Sequence, residues 1–153
     1  MTAASLLVHA TTVAIAGKGV MLRGPSGSGK SDLALRLIDQ PGTGLGRHMM
    51  RADLVADDQT EVYVRGHRLW VRCPRTIRGK LEVRGLGIVS VKPHAACPLV
   101  LVVDLKPDTR TERLPEPGDL TVNLLDHRLA RISLDPLRPS APSVLRAAFQ
   151  HLT

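Results

Sequence analysis

Gly24-Pro25-Ser26-Gly27-Ser28-Gly29-Lys30-Ser31 is the stretch on which the reading of the fold turns. It fits the pattern G-x-x-x-x-G-K-[ST]. It follows the short apolar run Val20 to Arg23 and precedes Leu33, Ala34, Leu37 and Ile38, which repeat at helical spacing before Pro41-Gly42. Strand, glycine-rich loop and helix, in that order, are what a phosphate-binding loop requires. The glycines let successive N–H groups turn inward toward phosphate oxygens, and the helix N-terminus adds positive partial charge. Gly24, Pro25, Ser26, Gly27, Ser28, Gly29, Lys30 and Ser31 are therefore the expected cradle for the phosphates of ATP. Lys30 would reach the β- and γ-phosphates, and the Ser31 hydroxyl would coordinate Mg2+.

Working outward, residues 5–16 are β-rich and Gly17-Lys18-Gly19 reads as a tight turn into the strand before the loop. After the flexible segment Pro41 to Gly46, Ala52 to Ala56 reads as a short strand ending in Asp57-Asp58. Glu61 to Val64 and Leu69 to Arg72 read as a hairpin, and Leu81 to Val83 and Ile88 to Val91 bracket a second glycine-containing turn. Pro98 to Val103 is a continuous apolar run of the kind buried strands show. Residues 104–119 form a charged, proline-containing loop, Ile132 to Leu134 is a last strand, and Ser140 is placed to cap a C-terminal helix reaching Leu152, with Pro142 in its first turn. The expected fold is α/β: a phosphate-loop NTPase-like core with a strand-rich mixed sheet and few helices, forming one domain over residues 1–153.

Composition narrows the classes. Hydrophobic residues at 43% and charged residues at 23% are globular values, and no apolar run approaches the roughly 20 residues of a membrane span. With no signal-peptide pattern at the start, the expectation is a cytoplasmic protein without membrane attachment. Cys73 and Cys97 lie in no Cys-x-x-Cys spacing and are expected as free thiols. The net charge of +7 comes from scattered arginines, and Trp70, Tyr63 and Phe149 are the only aromatics. Both features speak against nucleic acid as a partner.

A phosphate loop needs carboxylates to hold Mg2+ and to orient or deprotonate the acceptor. The pair Asp57-Asp58, after Leu54-Val55-Ala56, and Asp104, after Leu99 to Val103, both stand at strand ends. Periodicity alone leaves the choice open.

Four blocks make the choice by resemblance: Leu7-Val8-His9, the loop Gly24 to Ser31, Arg51 to Asp58, and Leu81-Glu82-Val83-Arg84-Gly85-Leu86-Gly87-Ile88. In this order they resemble the HPr kinase/phosphorylase family, which phosphorylates a serine of the small phosphocarrier HPr. The resemblance implies that Asp58 is the general base, that His9 sits beside the acid pair and orients it, and that Glu82 joins Ser31 and Asp57 as a magnesium ligand. It favours Asp57-Asp58 over Asp104. Glu112-Arg113-Leu114 is similar to the family's acid-arginine-aliphatic triplet, which makes Arg113 a catalytic candidate. Ser133 to Arg138 stands where the family has a basic, glycine-containing loop used for removing phosphate from the serine. Here only Pro136 and Arg138 remain of it, so phosphorolysis is less expected than kinase activity. The chain resembles a short form, without the N-terminal domain of many members, and the family's hexamer makes a homo-oligomer the expectation. Two other readings share the loop: a small-molecule kinase, which leaves the Glu82 to Ile88 block unexplained, and a non-catalytic nucleotide sensor, which has no need of a base.

Overall fold

In the computed structural model, which describes residues 4–153, the β-rich start resolves into β1 (Ser5–Val8) and β2 (Ala10–Ile15), interrupted at His9. Ala16 and Gly17, both at positive φ, turn the chain into β3 (Lys18–Arg23), from which the glycine-rich loop leads directly into α1 (Lys30–Asp39). Then follow β4 (Ala52–Ala56), the hairpin β5 (Thr60–Arg65) and β6 (Arg68–Arg72), and the separate hairpin β7 (Lys80–Val83) and β8 (Gly87–Ser90). The chain closes with β9 (Cys97–Leu105), β10 (Thr121–Leu124), β11 (His127–Leu134) and α2 (Ala141–Leu152). No helix is long and apolar enough to cross a membrane.

The main sheet runs β4-β2-β3-β9-β11-β10, with β3, β9 and β11 mutually parallel and the outer pairings antiparallel. The antiparallel strands β1, β5 and β6 attach to it through Trp70 opposite Pro98 and Val71 opposite Cys97. Alternation along β3 shows how the layers form. Val20 and Leu22 face the helices, packing with Leu33 and Leu37 of α1 and Leu145 and Phe149 of α2, whereas Met21 packs with Val62, Leu69 and Val71 on the other face. A strand buried on both faces has no polar side to alternate with, which is why its buried stretch Val20-Met21-Leu22 is apolar.

Two readings of the C-terminal third need correction. Residues 121–134 hold a hairpin rather than one short strand, and the Ser140 side chain makes no capping hydrogen bond at α2, so Pro near the first turn is the start signal that operates. The C-terminal end of α1 is capped from outside itself. Arg146, buried in α2, donates through Nη2 to the carbonyls of Leu37 (3.0 Å) and Gln40 (2.8 Å). Arg146→Met keeps the apolar stem and strands both carbonyls. It is expected to lower stability by about 1–3 kcal/mol, read as a lower urea midpoint at unchanged slope.

Both cysteines are free. Burial raises both thiols, Cys97 to about 11, so neither carries much thiolate at neutral pH.

Candidate active site

The phosphate loop owes its shape to positions where a side chain does not fit. Gly29, the N-cap of α1, has φ 99°, and a Cβ there would stand 3.1 Å from Pro136. A Cβ on Gly24 would meet the Ser28 hydroxyl at 2.5 Å. Ser28 N–H donates to the Pro25 carbonyl (3.0 Å), and Leu33 N–H closes the first turn of α1 on the Gly29 carbonyl (2.9 Å). Lys30 lies along the loop, its Nζ donating to the carbonyls of Gly24 (2.7 Å) and Pro25 (3.0 Å). Burial lowers the proton affinity of Lys30, against the raising effect of the Asp58 and Asp57 charges.

At the mouth of the loop the two adjacent acids make different contacts. Asp57, buried at the end of β4, accepts on one oxygen from the hydroxyls of Ser31 (2.6 Å) and Thr11 (2.9 Å), and on the other from the Glu82 amide (2.9 Å). Asp58, at φ +67°, turns the opposite way, and its exposed carboxylate lies 2.8 Å from His9 Nε2. Positive φ is a conformation that aspartate adopts more readily than most residues. Thr11 joins the two acids: its hydroxyl donates to Asp57 and accepts from the Asp58 N–H (3.2 Å).

His9, Lys30, Ser31, Asp57 and Asp58 are thus assembled from the β1–β2 break, the head of α1 and the end of β4. Glu82 joins through its backbone, while its side chain is exposed on β7. Arg113 is not brought in. It is exposed in the 104–119 segment, lining a different cavity with Lys106 and Arg138, and makes no hydrogen bond or ion pair with the loop or the acid pair among the described residues. Asp104 is occupied elsewhere. Arg23 grips it with two bonds (2.7 and 3.0 Å) and Arg131 with a third (2.6 Å). Burial pushes the Asp104 carboxyl up, but these arginines outweigh it and hold the group below the ordinary carboxylate range. Thr11 is the site residue that sequence reasoning missed.

As a fit for Mg2+, the site offers one hydroxyl and one carboxylate in contact with each other beside a phosphate cradle. Magnesium bound with nucleotide phosphates keeps several waters and needs only such a sparse protein set. No group of three or more His, Cys, Asp or Glu side chains suited to a metal occurs among the described residues.

Fold and site together define a phosphate-loop protein with an acid pair and a histidine at the loop's mouth. The chain belongs to the HPr Serine kinase C-terminal domain family, whose model matches residues 1–97. Among curated proteins it is similar to the HPr kinase/phosphorylase of Lactobacillus delbrueckii, 41% identical over 85 residues, covering 55% of this chain and 24% of that protein. The HPr kinase/phosphorylase of Burkholderia lata is 36% identical over 138 residues, covering 83% of this chain and 39% of the relative. The chain therefore corresponds to less than half the length of these relatives. In fold it resembles the solved Hpr(Ser) kinase/phosphatase from Coxiella burnetii, with a TM-score of 0.75 and 24% identity, covering 95% of this chain and 88% of that one.

Proposed function

We propose that this chain transfers the γ-phosphoryl group of ATP to a serine hydroxyl of an HPr-type phosphocarrier protein in the cytoplasm, with Mg2+ as the essential ion. The observation that carries this reading is the exposed Asp58 carboxylate, held by His9 at the mouth of the phosphate loop while its neighbour Asp57 is tied to Ser31. An exposed acid beside the cradle is accessible to a hydroxyl presented on the surface of another protein. Asp58 takes the proton of that hydroxyl, and His9 fixes the carboxylate's orientation. Lys30 and the inward-facing amides of the loop neutralise charge on the transferring group. Ser31 and Asp57, with Glu82 close by, would hold Mg2+, which supplies further charge neutralisation across the phosphates. Arg113 enters as a charge-stabilising residue on the strength of the Glu112-Arg113-Leu114 triplet alone. Homo-oligomer assembly belongs to the same reading, and sedimentation of the purified chain tests it.

The family's name and the two curated relatives support HPr as the acceptor. The reverse reaction has weaker support, because the Asp135 to Arg138 turn presents Pro136 against Gly29 and contains no glycine. Radiolabelled transfer from ATP to an HPr-type protein, set beside a panel of small hydroxyl acceptors, tests the assignment. Label on the carrier alone is the expected result. Label on a small acceptor moves the chain to the small-molecule kinases, and nucleotide binding without any transfer makes it a sensor.

Thr11 is expected to act by position. Thr11→Val keeps the volume and removes the hydroxyl that links Asp57 to the Asp58 amide. A small misplacement of a base costs about 10- to 100-fold in turnover. The expected outcome is a fall of that size in kcat with the KM for ATP little changed, whereas a purely structural role would show as lower stability with kcat per folded molecule intact.

A further inference from the structure

The cavity that Arg113 lines, about 470 Å3 in volume, lies between α2, β11 and the segment that follows β9. None of its lining residues belongs to the phosphate loop or the acid pair. The volume is inside the range of small-molecule sites, roughly 300–1,000 Å3. Its apolar wall follows from the period of α2. That helix turns Leu145 and Phe149 into the core, and a neighbouring stripe at four-residue spacing, Val144, Ala148 and Leu152, lines the cavity and is only half-buried. Ile132 and Leu134, buried on β11, extend the same wall. The small side chains of Ala147 and Ala148 leave the space between them open.

The polar part of the lining is cationic. Arg110 and Arg113 are exposed, Lys106 stands with them, and none of the three has an acid partner among the described residues. The acids beside them are mostly committed. Asp135 accepts from the amides of Asp108 and Leu137, Asp119 accepts from the amide of Glu116, and Asp108 lies 3.7 Å from Arg138. Glu112 alone of the lining carboxylates is open, and it is exposed. Three open cations against one open acid favour an anion and disfavour a metal ion or an amine. A polyol is disfavoured too. Thr111 and Ser133 carry the only hydroxyls on the wall, and that of Thr111 already donates to the Pro107 carbonyl (3.3 Å). Apolar recess and cationic mouth together suit an amphipathic anion, whose methylenes gain burial while its charged end takes hydrogen bonds from guanidinium.

We propose that this cavity binds a medium-length aliphatic carboxylate, its tail against Val144, Ala148 and Leu152 of α2 and its carboxylate at Arg110 and Arg113. Such binding requires nothing of the phosphate loop, so it stands or falls separately from the transfer reaction.

Calorimetric titration of the full chain with hexanoate, octanoate, decanoate and dodecanoate, and with octanol beside octanoate, tests it. Affinity is expected to rise about three- to fourfold with each added methylene and to level off once the chain fills the cavity. Octanol is expected to bind about tenfold more weakly than octanoate, for want of the charge. Arg113→Gln, at an exposed position without an acid partner, should weaken octanoate by about fivefold and leave octanol unchanged. Ala148→Leu keeps a good helix former and narrows the recess, so the levelling should come at a shorter chain. The Arg113→Gln arm decides the matter even where Ala148→Leu weakens the fold. No binding of any acid at millimolar concentration, octanoate and octanol binding alike, or octanoate unaffected by Arg113→Gln overturns the proposal. So does a length series that a folded Ala148→Leu protein leaves unchanged.

Discussion

Asp58→Asn is expected to bind ATP as wild type does and to transfer its phosphoryl group about 10²–10⁴ times more slowly, the range that a positioned general base supplies. The substitution is chosen so that little else changes. Asparagine tolerates the φ of +67° that residue 58 adopts, keeps the side chain's shape, and leaves the Asp58 N–H to Thr11 hydrogen bond intact. What it removes is the capacity to accept a proton. His9→Gln is expected to cost less, because His9 lies 2.8 Å from Asp58 and, on the proposed reading, would act only through it. Steady-state transfer rates measured beside ATP affinities check both. Equal losses in binding and rate would mean that Asp58 holds the nucleotide rather than deprotonating the acceptor.

Lys30→Met is expected to remove both tight nucleotide binding and transfer, the latter by about 10²–10³ or more, since a preorganised cation on the transferring phosphoryl group is of that worth. The protein should nonetheless stay folded. A lysine that holds its proton less tightly in the folded chain than in the unfolded one costs stability at neutral pH, and the cost fades as pH rises toward the ordinary lysine range. Burial puts Lys30 in that position, and its hydrogen bonds to the Gly24 and Pro25 carbonyls offset part of the cost. Methionine relieves the burial of charge and gives up those two bonds. The melting temperature should therefore move by only a few degrees while binding, followed by calorimetry, disappears. A collapse of stability would show that Lys30 organises the loop instead of serving the phosphates.

How far the site could be read from the chain depended on whether its parts were close in sequence. Gly24 to Ser31 declares itself because eight consecutive residues carry both the backbone geometry and the chemistry, and the strand Ala52–Ala56 with its terminal acids came out at its observed limits. His9 meeting Asp58 was not legible from spacing. It depends on β2 pairing with β4 and β1 with β5, and only the family resemblance supplied it. Thr11 was invisible for a different reason. A threonine inside an apolar strand reads as an ordinary β-branched residue, and its hydroxyl acquires a role only once Asp57 is folded over it.

The strand β11 was underestimated because Arg128 and Arg131 break its apolar pattern. Arg131 is tolerated there because Asp104, on the neighbouring parallel strand, pairs with it, and that same pairing withdraws Asp104 from the set of available acids. The Arg131–Asp104 pair thus accounts for a strand read too short and, together with Arg23, for an acid that is not available. Ser140 does occupy the N-cap position of α2, but without a side-chain hydrogen bond, whereas proline needs no such bond to start a helix.

The most direct test is mass spectrometry of an HPr-type carrier after incubation with Mg2+, ATP and either wild type or Asp58→Asn, with ATP binding followed on the same preparations. The expected result is one phosphoryl group gained on a serine with wild type, and none on the same timescale with Asp58→Asn, at equal ATP affinity. An unmodified carrier with wild type that binds ATP, or equal phosphorylation by both proteins, would contradict the assignment of Asp58 as the base of a protein serine kinase.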